Sequence, residues 1–256
     1  TCALRSRRDG LWVFYATPRS GEEREFLRAI TPFVHPDAAM RADLNMAAQI
    51  LEERALKTRQ FFNAIAEDWD ELNREVLGTF DLSEAVCDAV PQGCGTAVDL
   101  GCGTGGVLAR MLPKVRGLIG VDGSARMLEI CRRRFTAEDL ADGRVSLRIG
   151  ELSHLPLRDH EADFACINLV LHHLSDPAEG LREIRRIMAV GGRLFVADFQ
   201  RHADETMRIR YGDRWLGFDE QQLGLDLAAA GFKVLHCKHM PVDRNMTLLL
   251  LSAEAC

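Results

Sequence analysis

The chain has 256 residues, enough for one large domain and a smaller appendage, and its 47% hydrophobic and 27% charged content is that of an ordinary soluble globular protein. A formal net charge of −6 excludes a molecule that is basic overall and binds nucleic acid with its whole surface, while leaving room for a local basic patch. No apolar run reaches the roughly 18 residues of a membrane span, and no signal peptide is expected. Eight cysteines (2, 87, 94, 102, 131, 166, 237 and 256) contain no C-x-x-C pair. A cytoplasmic protein with reduced thiols, no metal site and no membrane association is expected.

In chain order, residues 3–8 and 11–16 flank Asp9-Gly10, a dipeptide that favours a two-residue hairpin. Arg5, Arg7 and Arg8, with Arg19 just beyond, outnumber Asp9 and make this hairpin locally basic. Ser20 with Glu23 three residues on reads as a capping box for a short helix to about Ile30, which Pro32 and Pro36 interrupt. A long helix is then expected from about Asp37 to Leu77. Steps of four and three pick out Leu44, Ala48, Leu51, Ala55, Thr58, Phe62, Ile65, Trp69, Leu72 and Val76, and all but Thr58 are apolar. Such a seam either packs on the chain's own domain or meets a second chain, since coiled-coil seams and core-facing stripes look alike. A helix of about 40 residues would reach about 60 Å, so something else should cover one end. A homodimer through residues 20–60 is the simplest expectation.

From Leu100 onward strands and helices alternate, the mark of a parallel α/β sheet. Strands are expected at 96–100, 117–121, 144–149, 162–168, 192–199, 232–238 and 246–252, and helices at 104–113, 124–135, 176–189 and 219–230. Gly191-Gly192 should end the helix before the fifth strand and Gly231 the helix before the sixth.

The chemistry is written at the ends of the first two of these strands. An apolar run ends in Asp99, glycines alternate at Gly101, Gly103 and Gly105, and a second run ends in Asp122 followed by Gly123. Glycines let the backbone turn sharply and approach a ligand closely. An acid closing the next strand suits a ribose diol. The order D-x-G-x-G-x-G-G differs from the dinucleotide pattern G-x-G-x-x-G: the early carboxylate would repel a pyrophosphate and suits a nearby ammonium or sulfonium.

These residues resemble motif I and the following acidic position of class I S-adenosylmethionine-dependent methyltransferases. The resemblance implies a Rossmann-like sheet of seven strands with an antiparallel last strand, and S-adenosylmethionine as cofactor, with S-adenosylhomocysteine as product. It implies that Asp99, Gly101, Gly103, Asp122 and Gly123 line the cofactor site. Met127 would lie against the adenine, although a core-filling methionine is the plainer reading. Glu151, beside Leu152, stands where most members of the family have an Asp that accepts from the adenine amino group; a surface glutamate in a loop is the alternative. Asn168, closing the fourth strand, would contact the methionine part or line the acceptor pocket.

His172-His173 invites a metal or general-base reading. Adjacent residues point in different directions, so a shared ion is not expected and a structural or capping role is expected for at least one of them; His173 remains a candidate base, with an unperturbed pKa suited to neutral pH. Methyl transfer asks mainly that the acceptor be aligned and water excluded, so no other catalytic residue is visible.

Two further segments narrow the resemblance. Residues 201–218, with His202, Arg208, Asp213, Trp215 and Phe218, resemble the matching region of methyltransferases fused behind ArsR-type regulators. Residues 4–15, from Leu4 through Trp12 to Tyr15, resemble the wing of an ArsR-type winged helix. This implies a partial winged helix with dimerisation helices at 1–78 and a methyltransferase domain at 79–256. It also implies about 50 further residues ahead of Thr1, and DNA contact through the completed winged helix. Two functions stay open: a methyltransferase acting on a small molecule, or a transcriptional regulator that senses S-adenosylmethionine or S-adenosylhomocysteine with little catalysis.

Overall fold

Short polar side chains start most helices of the C-terminal region, each by accepting a backbone N–H that the first turn leaves unpaired. Asp81, Ser124, Thr136, Asp176 and Asp219 all cap in this way. The computed structural model describes residues 5–9, 12–17, 21–34 and 37–256. The chain divides between Glu52 and Glu53 into two compact units.

In the N-terminal unit, β1 (Arg5–Asp9) and β2 (Trp12–Ala16) pair antiparallel with Asp9 opposite Trp12. Asp9 is thus the last strand residue rather than part of the turn. Helix α1 (Glu22–Ile30) starts from Gly21 without a side-chain cap, and Ser20, expected to cap it, lies outside the described residues. Asp37 accepts from Met40 N–H at 2.8 Å to open α2 (Ala38–Ile65), whose second half belongs to the C-terminal unit.

The long helix expected to Leu77 is broken. A turn at 66–68 separates α2 from α3 (Trp69–Leu77). Packing overrides the periodicity here: Ala66 is buried at the bend, and Phe62 meets Trp69 edge to face at 5.4 Å. Helix α4 (Leu82–Ala89) follows and leads into the sheet.

The sheet elements are β3 (Thr96–Leu100), α5 (Gly106–Met111), β4 (Gly117–Asp122), α6 (Ala125–Arg132), α7 (Ala137–Ala141) and β5 (Val145–Ile149). They continue with β6 (Ala162–Asn168), α8 (Pro177–Ile187), β7 (Met188–Phe199), α9 (Thr206–Arg210), α10 (Glu220–Ala229), β8 (Phe232–Val242) and β9 (Met246–Ala255). The strand order is β5-β4-β3-β6-β7-β9-β8, with β9 antiparallel to both neighbours and the others parallel. Because β3 pairs with β4 on one side and β6 on the other, the order reverses there, and a crevice opens beyond the strand ends.

The central strands are buried on both faces and read as near-continuous apolar runs. Val76, Val86, Leu108, Leu118 and Phe164 fill one face of the sheet; Val98, Ile167, Leu181, Ile184 and Leu227 fill the other. The helix before β7 stops at Ile187, not at the glycines. Gly191-Gly192 instead sit inside β7, in a bulge between the Ala162–Met188 and Phe164–Arg193 pairs. A Cβ on Gly192 would lie 2.9 Å from the Ala189 carbonyl oxygen and 3.1 Å from that of Asp163, which explains the residue without a helix stop.

Candidate functional site

The crevice is shaped by the turn after β3. Gly101 and Cys102 N–H both donate to the Val121 carbonyl, at 2.8 and 3.0 Å, pulling the loop across the end of β4. Gly101 and Gly105 adopt φ of 74° and 82°. A Cβ would lie 2.4 Å from Val170 Cγ2 at the first and 2.4 Å from Cys131 Sγ at the second. Both conformation and space therefore demand glycine. Asp122 closes β4, and its carboxylate accepts from Gly103 N–H at 2.8 Å and Ser124 N–H at 2.7 Å. Burial raises its pKa against the pull of those two donors.

Asp99 is buried beneath the same loop. Burial pushes its carboxyl up to about 7, helped by the charge of Asp122, while the Cys166 thiol donates to it at 3.3 Å. One residue beyond the Leu100–Ile167 pair stands Asn168, whose side-chain amide has both polar atoms enclosed and without a hydrogen bond. A buried amide left unpaired costs about 1–3 kcal/mol and fits a site that a polar ligand completes. Leu169 follows at φ 58°, an unfavourable conformation for a leucine, turning the chain into a single 3-10 turn at Leu171–His173.

The second half of α2 and all of α3 lie over this crevice. Asn63 Oδ1 accepts from Ser124 Oγ at 2.6 Å, Arg59 pairs with Glu151 at 2.8 Å, and Thr104 Oγ1 donates to Asp70 at 2.5 Å. The Trp69 indole faces Gly103 so closely that a Cβ there would come within 3.2 Å of its Nε1. Phe62 stacks edge to face on His173 at 4.8 Å.

Behind Phe62 lies a buried polar cluster. His172 Nδ1 donates to Asp198 at 2.7 Å, and its Nε2 is 3.5 Å from Asp213. Burial opposes its charge, but Asp198 and then Asp213 outweigh burial and raise its pKa. His173 Nδ1 faces the Gly212 carbonyl at 3.2 Å and must carry the proton, leaving Nε2 as an acceptor. Burial and the neighbouring His172 hold its pKa well below the ordinary value. The two rings do not diverge as expected: the tight 3-10 turn brings their centroids to 4.0 Å.

The structure thus gathers Asp99, Gly101, Gly103, Asp122, Gly123 and Asn168 at adjoining strand ends. Met127 is fully buried in the first turn of α6, with its N–H on Ser124 Oγ. Glu151 is exposed and occupied by Arg59, and Leu152 is half-buried against the core. Asn63, Trp69, Asp198 and Asp213 were not legible as site residues. Asp198 had a usable signal, an acid near the carboxyl end of a strand. The seven cysteines among the described residues are free, and no described helix is long and apolar enough to cross a membrane.

Residues 98–196 match the family described as a methyltransferase domain. The demethylmenaquinone methyltransferase of Lactiplantibacillus plantarum is 35% identical over 139 residues, covering 52% of this chain and 58% of that protein. The chain spans about half the length of the curated relatives it matches. Among solved structures, the cyclase SpnF superposes with a TM-score of 0.63 at 19% identity, over 77% of this chain and 94% of that one. Phosphoethanolamine N-methyltransferase 2 of Haemonchus contortus, in complex with phosphomonomethylethanolamine and S-adenosylhomocysteine, gives 0.58 at 14% identity, over 70% of this chain and 53% of that one. These likenesses establish the fold; a cyclase shares it, so the reaction has to be argued from the site.

Proposed function

We propose that the chain binds S-adenosylmethionine at the ends of β3, β4 and β6 and transfers its methyl group to a small molecule. The observation that carries this is Asp122: a carboxylate fixed by two backbone N–H groups between the glycine loop and α6, with lone pairs left for a ribose diol. Asp99 and the unpaired Asn168 amide suit the cationic, polar methionine part. Met127 and Glu151 would meet the adenine, Glu151 by releasing Arg59. When bound, the cofactor supplies an electrophilic methyl carbon. The protein's share is to align the acceptor and exclude water, which α2 and α3 do from above. His173, neutral and with Nε2 unprotonated, is suited to accept a hydrogen bond from an acceptor hydroxyl or amine and so orient it; with its pKa held well below the ordinary value it is a weak base.

A second reading rests on the N-terminal unit. Its strand pair carries Arg5, Arg7 and Arg8, and Phe26, Phe33, Leu44 and Met46 stay exposed on α1, α2 and their connection. This supports a cytoplasmic regulator that dimerises through residues 20–60 and uses the hairpin as an ArsR-type wing on DNA, with the C-terminal unit as a sensor. Such a response needs different ligand affinities in two arrangements of the dimer.

Incubation of the chain with methyl-labelled S-adenosylmethionine and a panel of phenolic, quinol and amine acceptors separates the two. Label transfer with formation of S-adenosylhomocysteine supports the enzyme. Tight binding of S-adenosylhomocysteine with no transfer to any acceptor class supports the sensor.

A further inference from the structure

We infer that His172, His173 and Asp213 form a binding site for a divalent first-row transition-metal ion, with Asp198 orienting His172. Each of the three residues offers a ligand atom, and these atoms lie within 4.8 Å of one another before any ion draws them together. All three are buried, so the site is not a chance surface cluster.

Three observations point to a missing ligand rather than to a finished hydrogen-bond network. The Asp213 carboxylate is buried with neither oxygen hydrogen-bonded, although it sits 3.5 Å from His172 Nε2. That separation is long for a hydrogen bond. It matches the gap between two ligand atoms that each stand about 2.0–2.1 Å from a tetrahedral ion. Secondly, His172 donates its Nδ1 proton to Asp198 at 2.7 Å, which turns Nε2 toward Asp213 and makes it the ring nitrogen that an ion would take in place of a proton. This carboxylate–histidine arrangement fixes the ligating tautomer of a metal-bound imidazole. Asp198 is itself held by Phe199 N–H at 2.8 Å. Thirdly, His173 spends Nδ1 on the Gly212 carbonyl, so that Nε2 is the ring nitrogen with a lone pair left.

Two imidazoles and one carboxylate suit zinc, iron(II) or cobalt(II) and not magnesium or calcium, which take oxygen-only sets. Three protein ligands leave coordination positions open, as in catalytic rather than structural sites. Taken with the methyl transfer proposed above, on which this clause alone rests, the ion would hold an ionisable acceptor oxygen in place of the hydrogen bond to His173 Nε2, which would then be a ligand. Acceptors would then be phenols or enols rather than simple amines.

The test uses the full chain, stripped with chelator and titrated with cobalt(II) under absorption spectroscopy, with bound metal counted by mass spectrometry. One equivalent with visible ligand-field bands is expected, and zinc should displace it. Asp213→Asn and His172→Gln should each weaken binding at least tenfold, and Asp198→Asn by about ten- to a hundredfold. Zinc should raise the thermal midpoint of the wild type and leave that of Asp213→Asn unmoved.

The group Glu220, Cys237 and His239, of which two are half-buried and His239 is exposed, is the internal control. Glu220→Gln should leave the visible bands intact, and a strong sulfur-to-cobalt band would instead place the ion on Cys237. Absence of stoichiometric metal on the wild type, or undiminished binding in folded Asp213→Asn, would overturn the site. If a variant does not fold, the wild-type stoichiometry and the Glu220→Gln result still decide. Calorimetry with S-adenosylhomocysteine on the same samples separates loss of the metal site from failure of the cofactor reading.

Discussion

The seam that runs from Leu44 to Val76 behaves differently at its two ends. At the early end Leu44 is 55% exposed, with Met46 and Ile50 also open to solvent; at the late end Val76 is 3% exposed and Phe62, Trp69 and Leu72 are half-buried. One periodic pattern therefore serves two purposes: the late part roofs the crevice beyond the sheet, while the early part presents an apolar face within its own unit. The spacing of apolar residues identifies a helix and its sticky side. What the side adheres to is set by the rest of the chain.

The sharpest way to break this comparison is to charge the early face. Leu44→Asp with Leu51→Asp should turn the proposed dimer into a monomer by light scattering, because unpaired charges are costly to bury. A wild type that is monomeric at high concentration would remove the dimer from the account. At the other extreme of rigidity, Gly105→Ala forces a positive-φ alanine against Cys131. It should cost about 2–4 kcal/mol in denaturant unfolding, from strain and overpacking together. Phe62→Ala should cost about 2 kcal/mol, half the range for a fully buried phenylalanine, whereas Leu44→Ala on dilute protein should stay within about 0.5 kcal/mol. Equal losses for the two would erase the distinction between the ends of the seam.

Asp99 gives a smaller, pH-dependent effect. Its folded-state pKa of about 7 lies above the unfolded value of about 3.9, so the folded chain keeps a proton that the unfolded chain has lost. Stability should therefore fall as pH rises between those two values, and Asp99→Asn should flatten the slope. Ionised Asp99 favours a cationic ligand group. Binding of S-adenosylhomocysteine, through its ammonium, should accordingly tighten up to about tenfold between about pH 6 and about pH 8 in the wild type, and change less in Asp99→Asn.

The sheet was legible because its strands, buried on both faces, appear as apolar runs closed by Asp99, Asp122 and Asn168, and because Gly101 to Gly105 mark a turn that no other residue makes. The exact course of α2 and α3 was not, since the bend at 66–68 buries Ala66 and sets Phe62 on His173 and Trp69 against Gly103, residues far along the chain. The His172 cluster was only half legible. Its histidines are adjacent in sequence, but Asp198 and Asp213 come from the end of β7 and from the loop after α9, and no local pattern links them. Gly191-Gly192 misled for a related reason: a glycine pair marks a bulge inside a strand as well as it marks a helix end.

The central claim is that Asp122 and the glycine loop hold the nucleoside of S-adenosylmethionine. Calorimetric titration of S-adenosylhomocysteine into the wild type and into Asp122→Ala tests it most directly. The account predicts one site per chain and a loss of about 1.5–3 kcal/mol in the variant, the range for hydrogen bonds to a charged group. Equal affinity in the two proteins, or no binding to the folded wild type, would contradict it.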